Sequence, residues 1–385
     1  MLVEDVVSIK QYNVKKLLTS IRFCDDMTKK DISAHTSLSV ATISNLCGEL
    51  MAKGILAEGR PNMEMRVGRT PNLMKFQYDR YYVLALDFQF ADIIGISILN
   101  LRNEILFSDS FCVPSGIGAR EIIETAKQRL EREVARLKPE SQVIGVGASV
   151  PAIYDRTDER IKCSSIARYE GIPLKKMLGD AFDCPAYVDN CANLRAISAY
   201  AFQPAQSIVC LDVSQGVGGG IVLDGEVLRG KNGFAAELAH IPIGDPAKQC
   251  PYCGGFGCVE NDLGVENIVK QFPEIDQGLP LPEKWALCVA HFSSHADELA
   301  PMLNNLGRLL GQVASILIDL FDPNRFCLTG YITDIFPLLS SSFWAELNVR
   351  AKESLNRNLS IDIQERSWSD VYIGIADAMY HRWLP

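Results

Sequence analysis

Between Ser214 and Glu260 the chain gathers the side chains best suited to chemistry. Cys250, Cys253 and Cys258 have two and four residues between them, and His240 stands ten residues ahead of the first. Thiolate sulfurs and an imidazole nitrogen are the ligands of a closed tetrahedral zinc site, and four protein ligands leave no position for a reacting water. Such a site braces a loop and does not catalyse; the alternative for these residues is a reduced, metal-free loop. Glu237 and Glu260 bracket the cluster, although either glutamate alone would pass for an ordinary surface or salt-bridged carboxylate. Upstream, Gly216-Val-Gly-Gly-Gly220 would either let phosphate oxygens approach backbone amides or simply bend the chain between two strands. The other nine cysteines are scattered singly, as in Phe111-Cys112-Val113 and Val209-Cys210-Leu211, and read as small core side chains.

These groups need a scaffold. At 385 residues the chain exceeds what one core usually supports, so two or three domains are expected, and 48% apolar residues suffice to fill them. No apolar run is long enough to cross a bilayer, and Met1-Leu-Val-Glu-Asp5 carries an acidic pair where a signal peptide needs basic residues. The expectation is a cytoplasmic protein without a membrane partner. The net charge of -9 is unevenly spread: residues 1–75 hold 11 Lys/Arg against 8 Asp/Glu, and the remainder 27 against 39. An acidic body repels polyphosphate, which confines any nucleic-acid contact to the basic head.

Within that head, Ile9, Tyr12, Val14, Leu17, Leu18 and Ile21 recur at helical spacing and predict a first helix from Ser8 to Arg22. Thr28-Lys-Lys-Asp31 matches a capping box, so a second helix should run to about His35. After a turn through Thr36 to Leu38, Ser39 is the expected N-cap of a third helix. Ile43, Leu46, Leu50 and Met51 form its apolar stripe and Gly54 its left-handed stop. Thr42, Ser44 and Asn45 lie off the stripe near the N-terminal end, where a recognition helix reaches base edges. Beyond Gly54, a strand at Ile55-Leu56-Ala57 and a Gly/Pro-punctuated hairpin carrying Arg60, Arg66, Arg69 and Lys75 would make a wing lying along phosphates. The pattern is that of a winged helix-turn-helix over 1–75; a helical module that binds protein is the alternative.

From Asp79 onward apolar segments alternate, and Val83 to Leu106 can be laid beside Ile208 to Leu228 at an offset of 125 residues. Leu86-Asp87 then meets Leu211-Asp212, and Gly95-Ile96 meets Gly220-Ile221, which implies two similar lobes. Asp224-Gly225 between apolar runs signals a two-residue hairpin. The helical pattern Arg120 to Leu137 leads into the strand Val143 to Val150, favouring an α/β architecture with a ligand site in the cleft.

Taken in order, Gly147-Ala-Ser-Val-Pro151, Asp189-Asn-Cys-Ala-Asn193, Gly216-Val-Gly-Gly-Gly220, Glu237-Leu-Ala-His240 and the cysteine cluster resemble the signatures of the ROK family of sugar kinases and sugar-responsive repressors. The resemblance spans nearly the whole chain. It implies a winged helix-turn-helix (1–75) followed by two actin-like, ribonuclease H-like lobes, 76–195 and 196–385, with the C-terminal helix returning to the first. By the same resemblance Ser165, Asn190, Glu237, His240 and Glu260 fall at sugar-contacting positions, Ser165 where many members have asparagine. His240, Cys250, Cys253 and Cys258 fall at the zinc ligands, with one residue more than usual between the first two cysteines.

Two departures bear on activity. Asp87 is followed by Phe88-Gln-Phe90, where family kinases have glycines that admit phosphate, and Cys191 replaces their catalytic aspartate. A thiol with a pKa of roughly 8.5 is a poor general base for a sugar hydroxyl at neutral pH. The expectation is therefore no enzyme. Instead, a homodimeric or larger repressor of carbohydrate genes would bind operator DNA and answer to a sugar or sugar derivative. The competing readings are an active ATP-dependent sugar kinase and a ligand-free scaffold governed by a protein partner such as a sugar-transport component.

Overall fold

The computed structural model describes residues 3–24, 27–59, 72–114, 116–203, 205–275, 278–351, 359–365 and 367–383. The chain forms two compact units. One is Met1–Ser149 with Pro173–Val188 and Ile375–Pro385; the other is Val150–Ile172 with Asp189–Gly374. The head and the sheet that follows it thus share a unit, a grouping unlike the division expected near residues 75 and 195.

In the first unit the head opens with α1 (Val3–Ile21), which buries Val14, Leu17, Leu18 and Ile21. Ile9 and Tyr12 carry the same periodicity yet are 54% and 62% exposed, because the periodicity continues beyond the stretch that the head covers. Strand β1 (Met27–Thr28) leads into α2 (Lys29–Thr36), capped by the Thr28/Asp31 box, with Ser37 left-handed at its end. Helix α3 (Val40–Ala52) is capped by Ser39 and buries Ile43, Leu46, Cys47 and Leu50. Cys47, not Met51, completes that face; Met51 is only half-buried. Strands β2 (Leu56–Gly59) and β3 (Leu73–Phe76) pair antiparallel, and β1 adds to β3 to give the order β1-β3-β2. Arg60, Arg66 and Arg69 lie outside the described residues.

The rest of the unit is built on β4 (Tyr81–Asp87), β5 (Ile93–Asn100), β6 (Ile105–Cys112), β7 (Gln142–Val150) and β10 (Ala186–Asn190). Their order in the sheet is β10-β7-β4-β5-β6. Between β7 and β10 come the hairpin β8 (Ala152–Asp155) and β9 (Arg160–Ser164), which falls in the second unit, and α5 (Leu174–Phe182). Helix α4 (Ala119–Val134) buries Ile122, Ile123, Ala126 and Leu130.

The second unit repeats this plan. Its strands are β11 (Ser207–Val213), β12 (Val217–Leu223), β13 (Glu226–Val227), β14 (Arg325–Thr329) and β15 (Ser360–Ile363), in the order β13-β12-β11-β14-β15. In each sheet an antiparallel hairpin is extended by a parallel strand, β7 on β4 and β14 on β11. The fixed offset fails across the turn. Asp87 pairs with Gly95, whereas Asp212 pairs with Gly218, because the first turn is two residues longer. Asp224 and Gly225 both have positive φ, and Leu223 pairs with Glu226, as a two-residue hairpin requires. Helix α6 (Cys191–Phe202) lies directly on β12: a Cβ at Gly220 would come within 2.4 Å of the Ala192 carbonyl oxygen. Around that contact Ala196, Ala199, Ile208, Cys210, Val222 and Cys327 make one buried cluster.

Short helices α7 (Glu260–Leu263) and α8 (Val265–Val269), then α9 (Leu281–Ser294), α10 (Ala300–Phe321) and α11 (Phe336–Arg350), complete the unit. The final helix α12 (Asp370–Trp383) begins in the second unit and ends in the first. Of the nine cysteines outside the cluster, Cys24, Cys112 and Cys163 are exposed, so core packing does not account for them all. No helix among the described residues is long and apolar enough to cross a membrane.

Candidate functional site

Local geometry assembles the cysteine cluster. His240 ends a single 3₁₀ turn, Leu238–His240, and the loop to α7 is folded back by hydrogen bonds from Cys250 N to Gly255 O (2.7 Å) and from Gly254 N to Cys250 O (3.0 Å). The ligand atoms of His240, Cys250, Cys253 and Cys258 lie within 4.8 Å of one another. The Cys253 and Cys258 sulfurs are 3.5 Å apart, and Cys250 Sγ is 3.7 Å from His240 Nδ1. Sulfurs on one zinc at bonds of about 2.3 Å stand about 3.8 Å apart in a tetrahedron, so the spread of the four groups is within about 1 Å of what the metal requires. Burial pushes the Cys258 thiol up to about 12, the environment in which a cation is needed to hold a thiolate. Since Nδ1 faces the cluster, Nε2 of His240 is left for a second partner.

The same unit holds a cavity lined by Ala152, Tyr154, Asp189, Asn190, Asn193, Arg229 and Glu237. Asn190 is the N-cap of α6: its Oδ1 accepts from Ala192 N at 2.7 Å, and its Nδ2 donates to Ala152 O at 3.3 Å. Asp189 is almost wholly buried; its Oδ2 accepts from Arg229 Nη2 at 2.5 Å, and its Oδ1 from Asn193 Nδ2 at 2.9 Å. Glu237 is raised above the usual carboxylate range by burial alone. Burial likewise pushes the Tyr154 phenol up to about 12.

Two buried polar atoms here, Tyr154 Oη and Asn193 Oδ1, have no hydrogen-bond partner among the described residues. A buried polar atom left unpaired costs about 1–3 kcal/mol, so both favour a ligand that supplies hydroxyls. The free volume is about 10 Å³, the scale of one water, and a sugar ring enters only if a lining side chain or loop moves. Tyr154, Asn193 and the Asp189–Arg229 pair are cavity residues beyond those expected from the sequence. Asp189 and Asn193 stand inside a family motif, but nothing local marks Tyr154 or Arg229. Of the expected effector positions, Asn190 and Glu237 line the cavity. Ser165 is exposed after β9, and neither it nor His240 nor Glu260 is among the lining residues.

The positions that phosphoryl transfer would need are filled. Phe88 and Phe90 are buried in the first turn. In the second, the Glu260 carboxylate accepts from Val217 N at 2.7 Å, and a Cβ at Gly216 would come within 2.6 Å of the same carboxylate. The Val217 amide is thus already paired within the chain. Burial pushes Glu260 up to about 7, with the Val217 bond opposing. Cys191 is buried at the first position of α6, and the neighbouring carboxylate, Asp189, is tied to Arg229.

On the head, Ser44 and Asn45 are exposed on α3, whereas the Ser39 and Thr42 hydroxyls pair with each other at 2.8 Å, Ser39 also capping the helix.

Residues 94–376 match the model described as the ROK family. The xylose repressor of Caldicellulosiruptor bescii is 27% identical over 95% of this chain and 94% of its own. The xylose repressor of Bacillus subtilis is 24% identical over 93% and 92%. Among solved structures, a ROK family transcriptional regulator described as a homolog of the E. coli MLC protein matches with a TM-score of 0.79 at 21% identity, covering 98% of this chain and 96% of that one. A ROK family glucokinase from Streptomyces griseus, in complex with glucose and AMPPNP, matches at 0.57 and 22% identity, over 77% and 98%. At these identities the structural likenesses establish the fold.

Proposed function

Because the chain belongs to the ROK family, and its phosphoryl-transfer positions are closed while a hydroxyl-binding cavity is kept, we propose that it is a sugar-responsive transcriptional repressor of carbohydrate genes and not a kinase. The observation that carries this reading is the buried Cys191 at the start of α6 and the buried Phe88 and Phe90 of the first turn, together with a cavity whose Tyr154 and Asn193 atoms await hydroxyl partners. The relatives matched over most of their length include xylose repressors, at 24–27% identity, and N-acetylglucosamine repressors, at 21%, which makes D-xylose the first effector to test.

In this reading residues 1–75 are a winged helix-turn-helix, with β2 and β3 as the strands of the wing. Ser44 and Asn45 on α3 meet base edges, and Ser39 and Thr42 order the start of that helix. Arg60, Arg66 and Arg69 supply phosphate contacts. The lobes over 76–385 bind the sugar through Asn190, Glu237, Asn193 and Tyr154. Zinc on His240, Cys250, Cys253 and Cys258 supplies no chemistry to the sugar; it fixes the loop between Glu237 and Glu260. The protein acts in the cytoplasm as a homodimer on a palindromic operator. The sugar shifts the population only in so far as it binds the DNA-incompetent arrangement more tightly than the competent one.

The test is a duplex-binding titration with DNA selected on the protein from a random pool, run with and without D-xylose. A salt-sensitive affinity that falls when the sugar is added supports the reading. DNA affinity that no aldopentose or aldohexose alters, or ATP turnover with any of them, would sink it.

A further inference from the structure

Helix α12 is shared between the units: Asp370–Gly374 belongs to the second and Ile375–Trp383 to the first. Within the second unit its first turn sits on α6, the helix that bears Asn190 as its cap and Asn193 in the cavity. The approach is close enough that a Cβ at Gly374 would come within 2.1 Å of the Leu194 carbonyl oxygen. Any displacement of α6 by a ligand at Asn193 is therefore felt at Gly374, because close-packed backbone leaves no slack to absorb it.

Within the first unit the same helix grips the head. Arg22, the residue after α1, is 2% exposed, and its guanidinium bonds Asp377 Oδ1. It also donates to Asn103 Oδ1 at 2.7 Å and to Leu101 O at 2.5 Å, and its carbon lies 3.9 Å from the centroid of the Tyr380 ring. The Arg22 carbonyl in turn accepts from Arg102 Nε at 2.8 Å. At the other end of the head, Phe76 of β3 meets the Tyr380 ring edge-on at 6.3 Å. Asp377 is held at about 2 in spite of complete burial, with Arg22 the main cause of the lowering and His381, 3.4 Å away, adding to it.

A buried ion pair adds little net strength over an apolar pair of similar volume, but its several directional bonds fix an orientation. We infer that Arg22 and Asp377 are positioning residues: they clamp the head to α12, so that a shift passed from the sugar cavity through α6 and Gly374 changes how the head is presented to DNA. The inference rests on the repressor reading above.

The experiment compares wild type with Arg22→Met/Asp377→Leu, in which both charges are removed together so that neither is left buried and unpaired. Arg22→Lys, which keeps the charge, serves as the conservative variant. For each, calorimetry gives the D-xylose affinity and duplex titration gives the DNA affinity without and with saturating D-xylose. The wild-type ratio of the two DNA affinities should be about tenfold or more, falling below about threefold in the double variant with sugar affinity and melting temperature retained. Arg22→Lys should keep most of the ratio. A double variant with the wild-type ratio overturns the inference, as does joint loss of sugar and DNA binding, which marks a merely structural role. A wild type that binds no duplex, or binds it equally with and without sugar, fails the repressor reading itself.

Discussion

Asp370, the first residue of α12, offers a test with a worked magnitude. Asp212 takes the nearby cation, Arg195 Nη1, at 2.8 Å and also accepts the Ser214 hydroxyl at 2.7 Å. Asp370 is raised to about 6, first by burial and then by the Asp212 charge, with Arg195 opposing. Its folded-state value lies above the unfolded one, so the native state holds the proton more tightly. The contribution to stability is therefore full below about pH 4 and is lost as pH rises through about 6. From the ordinary value of 3.8 to about 6 is roughly two units, or about 3 kcal/mol at 1.36 kcal/mol per unit. Losing a negative charge at a helix N-terminus costs up to about 1 kcal/mol, which leaves about 2 kcal/mol. Asp370→Asn should then stabilise the protein by that amount at pH 7.5 and by progressively less towards pH 4.5, read from urea midpoints of both proteins across the range. Equal midpoints at pH 7.5, or a gain that does not shrink on acidification, refute the reasoning.

Three further outcomes follow from the site. Cys253→Ser should lose bound zinc by elemental analysis, and chelation of the wild type should lower its melting temperature, as expected where metal binding is part of the folding free energy; a metal-free protein of unchanged stability speaks against the brace. Cys191→Asp should show no ATP turnover with xylose or glucose, because the buried Phe88 and Phe90 remain; measurable turnover would show that the thiol alone had closed the site. Tyr154→Phe should weaken sugar binding by about 1 kcal/mol, roughly fivefold, in calorimetry while leaving DNA affinity without sugar unchanged; unchanged sugar affinity removes Tyr154 from the site.

Signals carried within a few residues are legible in the amino-acid sequence alone. The Thr28/Asp31 box and the Asp224-Gly225 turn act through backbone groups three residues apart or fewer, and the four ligands of the cysteine cluster lie within nineteen positions. The wing loop expected between Gly59 and Asn72 falls outside the described residues. Pairings between distant residues leave no local trace. Arg229 meets Asp189 forty positions away and Arg22 meets Asp377 at 355, and nothing in the spacing of either arginine marks its partner. Periodicity also has a defined reach: it marks a face of α1, yet Ile9 and Tyr12 on that face are exposed while Val14, Leu17, Leu18 and Ile21 are covered. The internal repeat is visible in the strands and slips at the turn, where two extra residues sit beside Phe88 and Phe90.

The buried Phe88 and Phe90 of the first turn have a consequence for what the cell can signal through this protein. In a kinase of this fold, sugar and nucleotide are read together, so the response depends on energy supply as well as nutrient. Here the turn where family kinases carry glycines is filled by those two side chains. On the repressor reading proposed above, the response follows sugar affinity and not the ATP pool.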